Sequence, residues 1–240
     1  MAMIGSALGK GTLMEDKRTK ETQYQVMVEA ASERGYETLG LRGSQSWHED
    51  PKHLVFRLSR YKFVSKMFSG REKVLEIGCG DAFGTRIVQA EVGKMTAIDF
   101  DPVFIEDAKK RMAPRWQFEA FVHDMLDGPV PGDYDAVYAL DVLEHIEPAK
   151  ERLFLSNAFA SLDSNGAAII GMPSIESQPY ASAQSRIGHI NCKTGPDLRR
   201  LLEDYFHNVF MFSMNDEVIH TGFHKMANYI AALCTGKKGL

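Results

Sequence analysis

Residues 74–84, Val-Leu-Glu-Ile-Gly-Cys-Gly-Asp-Ala-Phe-Gly, constrain this chain more than any other stretch. A short apolar run ends beside an acid. Gly78, Gly80 and Gly84 follow at a G-x-G-x-x-x-G spacing, and an amphipathic segment begins within them. The pattern predicts a buried parallel strand, a tight turn and a helix start. Glycines in such a turn admit positive φ and let a ligand approach the backbone. The first turn of a helix presents unpaired N–H groups. The central question is which ligand sits there.

The rest of the chain fits around this unit. Strands are expected over 74–77, 94–98, 117–122, 136–140, 167–171, 209–214 and 227–234, with helices over 83–91, 102–112, 149–162 and 196–206. Regular βα alternation implies an α/β fold with a parallel sheet and helices on both faces. The last two strands have no helix between them and can pair antiparallel. Residues 1–20 have no period and are expected to be a flexible terminus. Residues 21–34 suit a helix that Gly35 ends, and 36–47 read as loop. Asp50-Pro51 is a helix-start signal, an N-cap acid followed by proline at the first helical position. Residues 21–70 are thus expected as an N-terminal helical cap and 71–240 as the ligand-binding domain.

Composition narrows the class. A formal charge of −4 argues against a nucleic-acid partner. Cys79, Cys192 and Cys234 are scattered, with no C-x-x-C. A reducing, cytoplasmic setting is the simpler reading. No apolar run approaches the roughly 18 residues that span a bilayer, and Lys10 follows the mildly apolar start rather than preceding it, unlike a signal peptide. The cap leaves a homodimer surface open.

In an open parallel sheet, ligands bind beyond the carboxyl ends of the strands. The polar residues expected there are Glu76, Asp99, Asp124 and Asp141, one at or just after the end of each of four strands. Asp99, 21 positions after Gly78, suits a ribose diol. Asp124 can accept from an exocyclic amine, with Phe100 and Met125 on the faces of a purine. Together these describe an adenosine-bearing ligand. A nicotinamide dehydrogenase is the rival, but its fingerprint has two residues between the second and third glycines. Glu76 and Asp81 also suit a cationic ligand better than a diphosphate.

Val-Leu-Glu-Ile-Gly-Cys-Gly-Asp, Ala-Ile-Asp-Phe-Asp-Pro, Val-His-Asp-Met and Tyr-Asp-Ala-Val-Tyr-Ala-Leu-Asp-Val-Leu-Glu-His-Ile resemble the successive motifs of class I S-adenosylmethionine (SAM)-dependent methyltransferases. The subgroup resembled includes the ubiquinone-biosynthesis O-methyltransferases. The resemblance covers about residues 54 to 235. It implies a Rossmann-like seven-stranded sheet, mostly parallel with an antiparallel last strand. It implies SAM as cofactor and S-adenosyl-L-homocysteine as product. Gly78 and Gly80 would face the methionine part, Asp99 the ribose, Asp124 and Met125 the adenine, and Glu76 the amine. Cys79, Phe100 and Leu140 are counted with the same site. For Cys79 a small buried filler is the plainer alternative. A SAM- or nucleoside-binding protein without catalysis is the alternative from another class.

Asp141, Glu144 and His145 stand at i, i+3 and i+4 and share a face if a helical turn begins there. His145 can act as a base near neutral pH. His189 lies in a long loop, 174–191, where function commonly sits. Gly-His-Ile-Asn at 188–191 resembles a segment of bacterial glycan- and natural-product-tailoring methyltransferases. His189 is the preferred base, with His145 and Asp141 beside it. The same groups can be read as ligands of a divalent metal, a reading not favoured, so no metal is assigned. Trp47, His48 and 220–224, with Tyr24, are candidates to close over the pocket. No Asn-Pro-Pro-Tyr follows the fourth strand, so a hydroxyl of a small molecule or sugar is the expected acceptor.

Overall fold

The computed structural model describes residues 17–239. Most of the expected flexible terminus, 1–16, therefore lies outside the described residues. Two compact units divide at Thr38 and Leu39, within the stretch expected as one cap. In the first, a 3-10 turn (Thr22–Tyr24) leads into α1 (Gln25–Arg34), none of whose residues is buried. Gly35, at φ 75°, ends α1 by donating from its N–H to Ala31 O.

The second unit holds the sheet. Its strands are β1 (Lys73–Ile77), β2 (Lys94–Asp99), β3 (Glu119–Val122), β4 (Tyr134–Leu140), β5 (Leu162–Pro173), β6 (Phe206–Asn215), β7 (Val218–His220) and β8 (Tyr229–Lys237). Their order is β3-β2-β1-β4-β5-β8-β6-β7. The first five run parallel, while β8 pairs antiparallel with both β5 and β6. The sheet is Rossmann-like, with eight strands among the described residues rather than the seven expected. The addition is β7, inside the polar stretch 215–225. Asp216, at φ 50°, turns the chain so that Asn215 faces Val218 and β7 folds back on β6.

Period-two alternation sends successive side chains to opposite faces. Leu75 and Ile77 join Phe154, Leu155 and Phe159 of α6 (Glu151–Ala160) and Leu198 and Leu202 of α8 (Gly195–Glu203). Val74 joins Tyr61, Val64 and Phe68 on the other face. These belong to α3 (Pro51–Met67) and its C-cap, beside Val88 of α4 (Thr85–Gln89). Ile105 and Ala108 of α5 (Pro102–Arg111) pack on Ala97. Helices thus cover both faces.

The helix starts follow side-chain chemistry. Asp50, Asp101 and Thr194 accept from Lys52, Val103 and Asp197 N–H, each with proline in the first turn. Two stretches expected as loop are helical instead. Residues 36–47 contribute α2 (Leu41–Glu49), and 174–191 hold a 3-10 helix (Ile175–Tyr180) and α7 (Ala183–Gly188). In α2, glycine and serines give little intrinsic drive. Tertiary bonds fix it: Gly43 N–H donates to Asp81 (2.7 Å) and Arg57 to Ser46 Oγ (3.2 Å). Among the described residues no helix is long and apolar enough to cross a membrane.

Candidate active site

Strand order reverses at β1, and a cavity of about 510 Å³ opens beyond the carboxyl ends of β1, β2 and β4, as the topology of such sheets directs. Gly78, Gly80, Asp99, Phe100, Asp124, Met125, Asp141 and His145 all lie on its wall. Gly78 and Gly80 have φ of 75° and 54°, the left-handed conformation that favours glycine. A Cβ on Gly78 would overlap Val142, and one on Gly80 would meet Arg42 at 3.0 Å.

Asp99 ties this loop to β2. Its Oδ2 accepts from Gly80 N–H at 2.8 Å and its Oδ1 from Asp101 N–H at 2.9 Å. One lone pair on each oxygen is left for a diol. Asp124 accepts from Leu126 N–H at 2.8 Å, which orients its carboxylate on the wall. Met125 is buried in the wall, whereas Phe100 stands largely exposed at its edge. Ile77, Phe104, Leu126, Val142, Ile146 and Phe154 add apolar surface, and Arg42 and His123 are the other polar wall residues.

Three residues assigned to the cofactor from sequence are not on the wall. Glu76 falls on the α3 face of β1 by alternation and is 1% exposed. Its carboxylate accepts from Thr85 Oγ1 at 2.5 Å, close to Tyr138 and Tyr61. Burial pushes its carboxyl up to about 7 against the opposing hydrogen bonds. Cys79 packs with Ala97, Ile105 and Ala108, and burial raises its thiol. Leu140 packs beside Tyr61 and Tyr138. Each side chain is taken by the packing behind the loop instead of the cavity.

The residues expected on the acceptor side lie around the end of β4 and the loop that packs on it. Asp141 sits at φ 58°, with its carboxylate bonded to Arg60 at 2.7 and 2.8 Å. Burial opposes its ionisation, but Arg60 and Arg42 together hold the carboxyl below the usual range. It is a poor proton acceptor for that reason, contrary to its expected part in base catalysis. A 3-10 turn (Leu143–His145) follows and carries Glu144 and His145. Glu144 is fully buried, and neither carboxylate oxygen has a hydrogen-bond partner among the described residues. Desolvation and then Asp141 raise its carboxyl well above normal.

His189 is not on the cavity wall, but the fold brings it to His145, with ring centroids 5.3 Å apart. The backbone arranges this. Ile190 and Asn191 N–H both donate to Glu144 O, at 2.9 and 3.0 Å. Asn191 Nδ2 reaches Glu151 at 2.8 Å. His145 Nδ1 donates to Gly188 O at 2.8 Å, and His189 Nδ1 to Gln178 Oε1 at 2.9 Å. A carbonyl only accepts, so both Nδ1 atoms carry the proton and each Nε2 keeps its lone pair, that of His145 lying 3.9 Å from Glu144 Oε1. Burial, then His145, lowers the His189 imidazole below its ordinary value. Arg42 is a wall residue that sequence reading missed. It lies in the stretch expected as loop, and nothing in its local pattern marks it.

Residues 74–166 match the family described as "Methyltransferase domain". The ubiquinone biosynthesis O-methyltransferase of Schizosaccharomyces pombe mitochondria is 30% identical over 105 residues, 40% of this chain. The match spans 38% of that relative's length. Among solved structures, the N-methyltransferase NodS of Bradyrhizobium japonicum WM9, in complex with S-adenosyl-L-homocysteine, superposes with a TM-score of 0.60 at 18% identity. That match covers 79% of this chain and 90% of NodS. Magnesium protoporphyrin IX methyltransferase from Synechocystis PCC 6803 gives a TM-score of 0.56 at 15% identity, over 77% and 86% of the two chains. Residues 74–166 thus match a methyltransferase domain, and the sheet order and glycine loop give the chain the fold of the methyltransferases it superposes on.

Proposed function

We propose that this protein transfers the methyl group of SAM to a hydroxyl of a small molecule or sugar and releases S-adenosyl-L-homocysteine. The observation that carries the reading is the His145–His189 pair, with both Nδ1 protons tied down beside a cavity built for an adenosyl group. Asp99 is the proposed ribose partner, and Asp124 with Met125 the adenine partners. Arg42, against Gly80, is proposed for the carboxylate of the methionine part.

The reaction is an in-line displacement. The acceptor oxygen bonds to the methyl carbon as the C–S bond breaks, and that electron pair goes to sulfur. The hydroxyl proton goes to an imidazole Nε2, His189 being the preferred base. Burial, which lowers its basicity, favours the neutral form that can accept a proton. The sulfonium charge is consumed, so no covalent enzyme intermediate is needed, only alignment and exclusion of water. The O-methyltransferase from yeast favours an oxygen acceptor.

A second reading is favoured by Glu144. Its unpartnered carboxylate and the two imidazoles each offer an atom within 4.8 Å of the others. These residues fit a divalent cation. Glu144, His145 and His189 would hold it, and it would polarise the acceptor hydroxyl as a Lewis acid. The two Nδ1 hydrogen bonds are the outer contacts such imidazole ligands use.

Calorimetry with SAM, S-adenosyl-L-homocysteine and NAD tests the cofactor. Saturable NAD binding with no response to the other two would overturn the reading. His189→Ala is expected to lower turnover by about 100-fold or more with nearly unchanged S-adenosyl-L-homocysteine affinity. Full activity would remove it as base. Exhaustive chelation separates the two forms of the site: activity that survives it leaves the base, and activity lost and restored by magnesium or manganese leaves the metal.

A further inference from the structure

Arg60 belongs to none of the glycine-loop or strand-end motifs. It lies on α3, yet its side chain ends at the carboxyl edge of β4, where Nη1 donates to both oxygens of Asp141 at 2.8 and 2.7 Å. The two side chains are only 12% and 14% exposed. The guanidinium also lies over the Tyr229 ring of β8, 3.8 Å from its centroid. One side chain therefore joins α3, β4 and β8.

Asp141 is a non-glycine residue at φ 58°. Such a conformation persists only where the surroundings over-determine it. Here two contacts do so: Asp141 N–H donates to Gly171 O at 3.0 Å, and the carboxylate is held by Arg60. The conformation has a consequence for the cavity. It turns the chain so that Val142 occupies the space a Cβ on Gly78 would need. Val142 and Asp141 are both wall residues. Buried ion pairs contribute little net stability compared with apolar packing, so stability alone is a poor account of this one.

We propose that Arg60 is a positioning residue for the cofactor cavity: it clamps Asp141 in the left-handed conformation that seats Val142 against Gly78. The inference rests on the adenosyl-cofactor reading of the cavity. Lysine is no equivalent, because the planar guanidinium supplies both the stacking face and fixed donors.

Calorimetric titration of S-adenosyl-L-homocysteine, with melting temperature measured alongside, tests this. Arg60→Ala is expected to weaken affinity by about tenfold or more, the scale of losing one partner of a buried charge pair. Arg60→Lys is expected to fall between Arg60→Ala and the wild type. Asp141→Asn is expected to weaken binding, and Arg60→Ala with Asp141→Asn to be no weaker than Arg60→Ala alone, because the two residues act as one unit. Phe206→Leu, a core change off the cavity wall, serves as a control: it is expected to lower melting temperature with affinity kept. Wild-type affinity in Arg60→Ala, additive losses in the double variant, full recovery with lysine, or affinity falling in Phe206→Leu in step with melting temperature would each overturn the proposal. Failure of the wild-type protein to bind S-adenosyl-L-homocysteine would instead overturn the cofactor reading beneath it.

Discussion

At the scale of single residues, Glu76 is an acid placed where charge is costly. It is legible in sequence as part of the glycine loop, but β1 alternation turns it into the α3 face, under Thr85. Burial, against the hydrogen bond from Thr85, raises its carboxyl to about 7. The folded state then holds the proton more tightly than the unfolded chain. Stability is expected to be full below about pH 4.5 and to fall as pH rises towards about 7. The shift corresponds to an upper bound of about 3 kcal/mol. Melting temperature recorded from pH 5 to 8 without cofactor checks this, with Glu76→Gln expected to flatten part of the slope. Glu144 is displaced in the same direction, so the remainder is expected to need Glu144→Gln as well. An unaltered slope in Glu76→Gln would mean that Glu76 is already ionised at low pH.

At the scale of elements, α3 and α4 meet through Gly84. Its backbone is ordinary, at φ −75°, so no turn requires glycine there. Space does: a Cβ at this position would overlap the Tyr61 ring. Gly84→Ala is therefore expected to destabilise the fold by about 1–3 kcal/mol, the range for overpacking. Urea denaturation measures the loss. Gly84 is not on the cavity wall, so cofactor affinity is expected to change little. A large loss of affinity with unchanged stability would place Gly84 in the site rather than in the packing. Element starts carry the same lesson in reverse. Asp50, Asp101 and Thr194 act through their own neighbouring N–H groups, so their helices are readable locally. The helix from Leu41 is not, because the bonds that hold it come from Asp81 and Arg57.

At the scale of the whole molecule, the cavity joins residues from the ends of β1, β2 and β4 with Arg42 from α2. A ligand that binds all of them binds only the folded chain. At 100 times its dissociation constant such a ligand adds about 2.7 kcal/mol of stability. For a chain of this size that is a rise in melting temperature on the order of 5–10 °C. S-adenosyl-L-homocysteine is expected to produce this rise and NAD none. A thermal scan with each ligand measures it, and equal shifts would argue against a site that prefers S-adenosyl-L-homocysteine to a dinucleotide.

Most of the cofactor half was written in local pattern. Strand ends, glycine spacing and the acids at 99 and 124 depend on chain periodicity and on the rule that open parallel sheets bind at one edge. Those are properties of neighbouring residues, and they carried over to the fold. Which face a residue finally serves is less legible: Glu76, Cys79 and Leu140 are taken up by packing and do not line the cavity. The acceptor half depended on distance in space. His189 comes beside His145 because Glu144 O receives two N–H groups from a segment more than 40 residues away. Asp141 is held ionised because α3 delivers Arg60 to it. Sequence by itself determined the class of fold and the edge of the sheet at which the cavity forms. Tertiary packing alone decided which acids are free, which are paired and which histidines meet, because charge and burial are set by neighbours that only folding supplies.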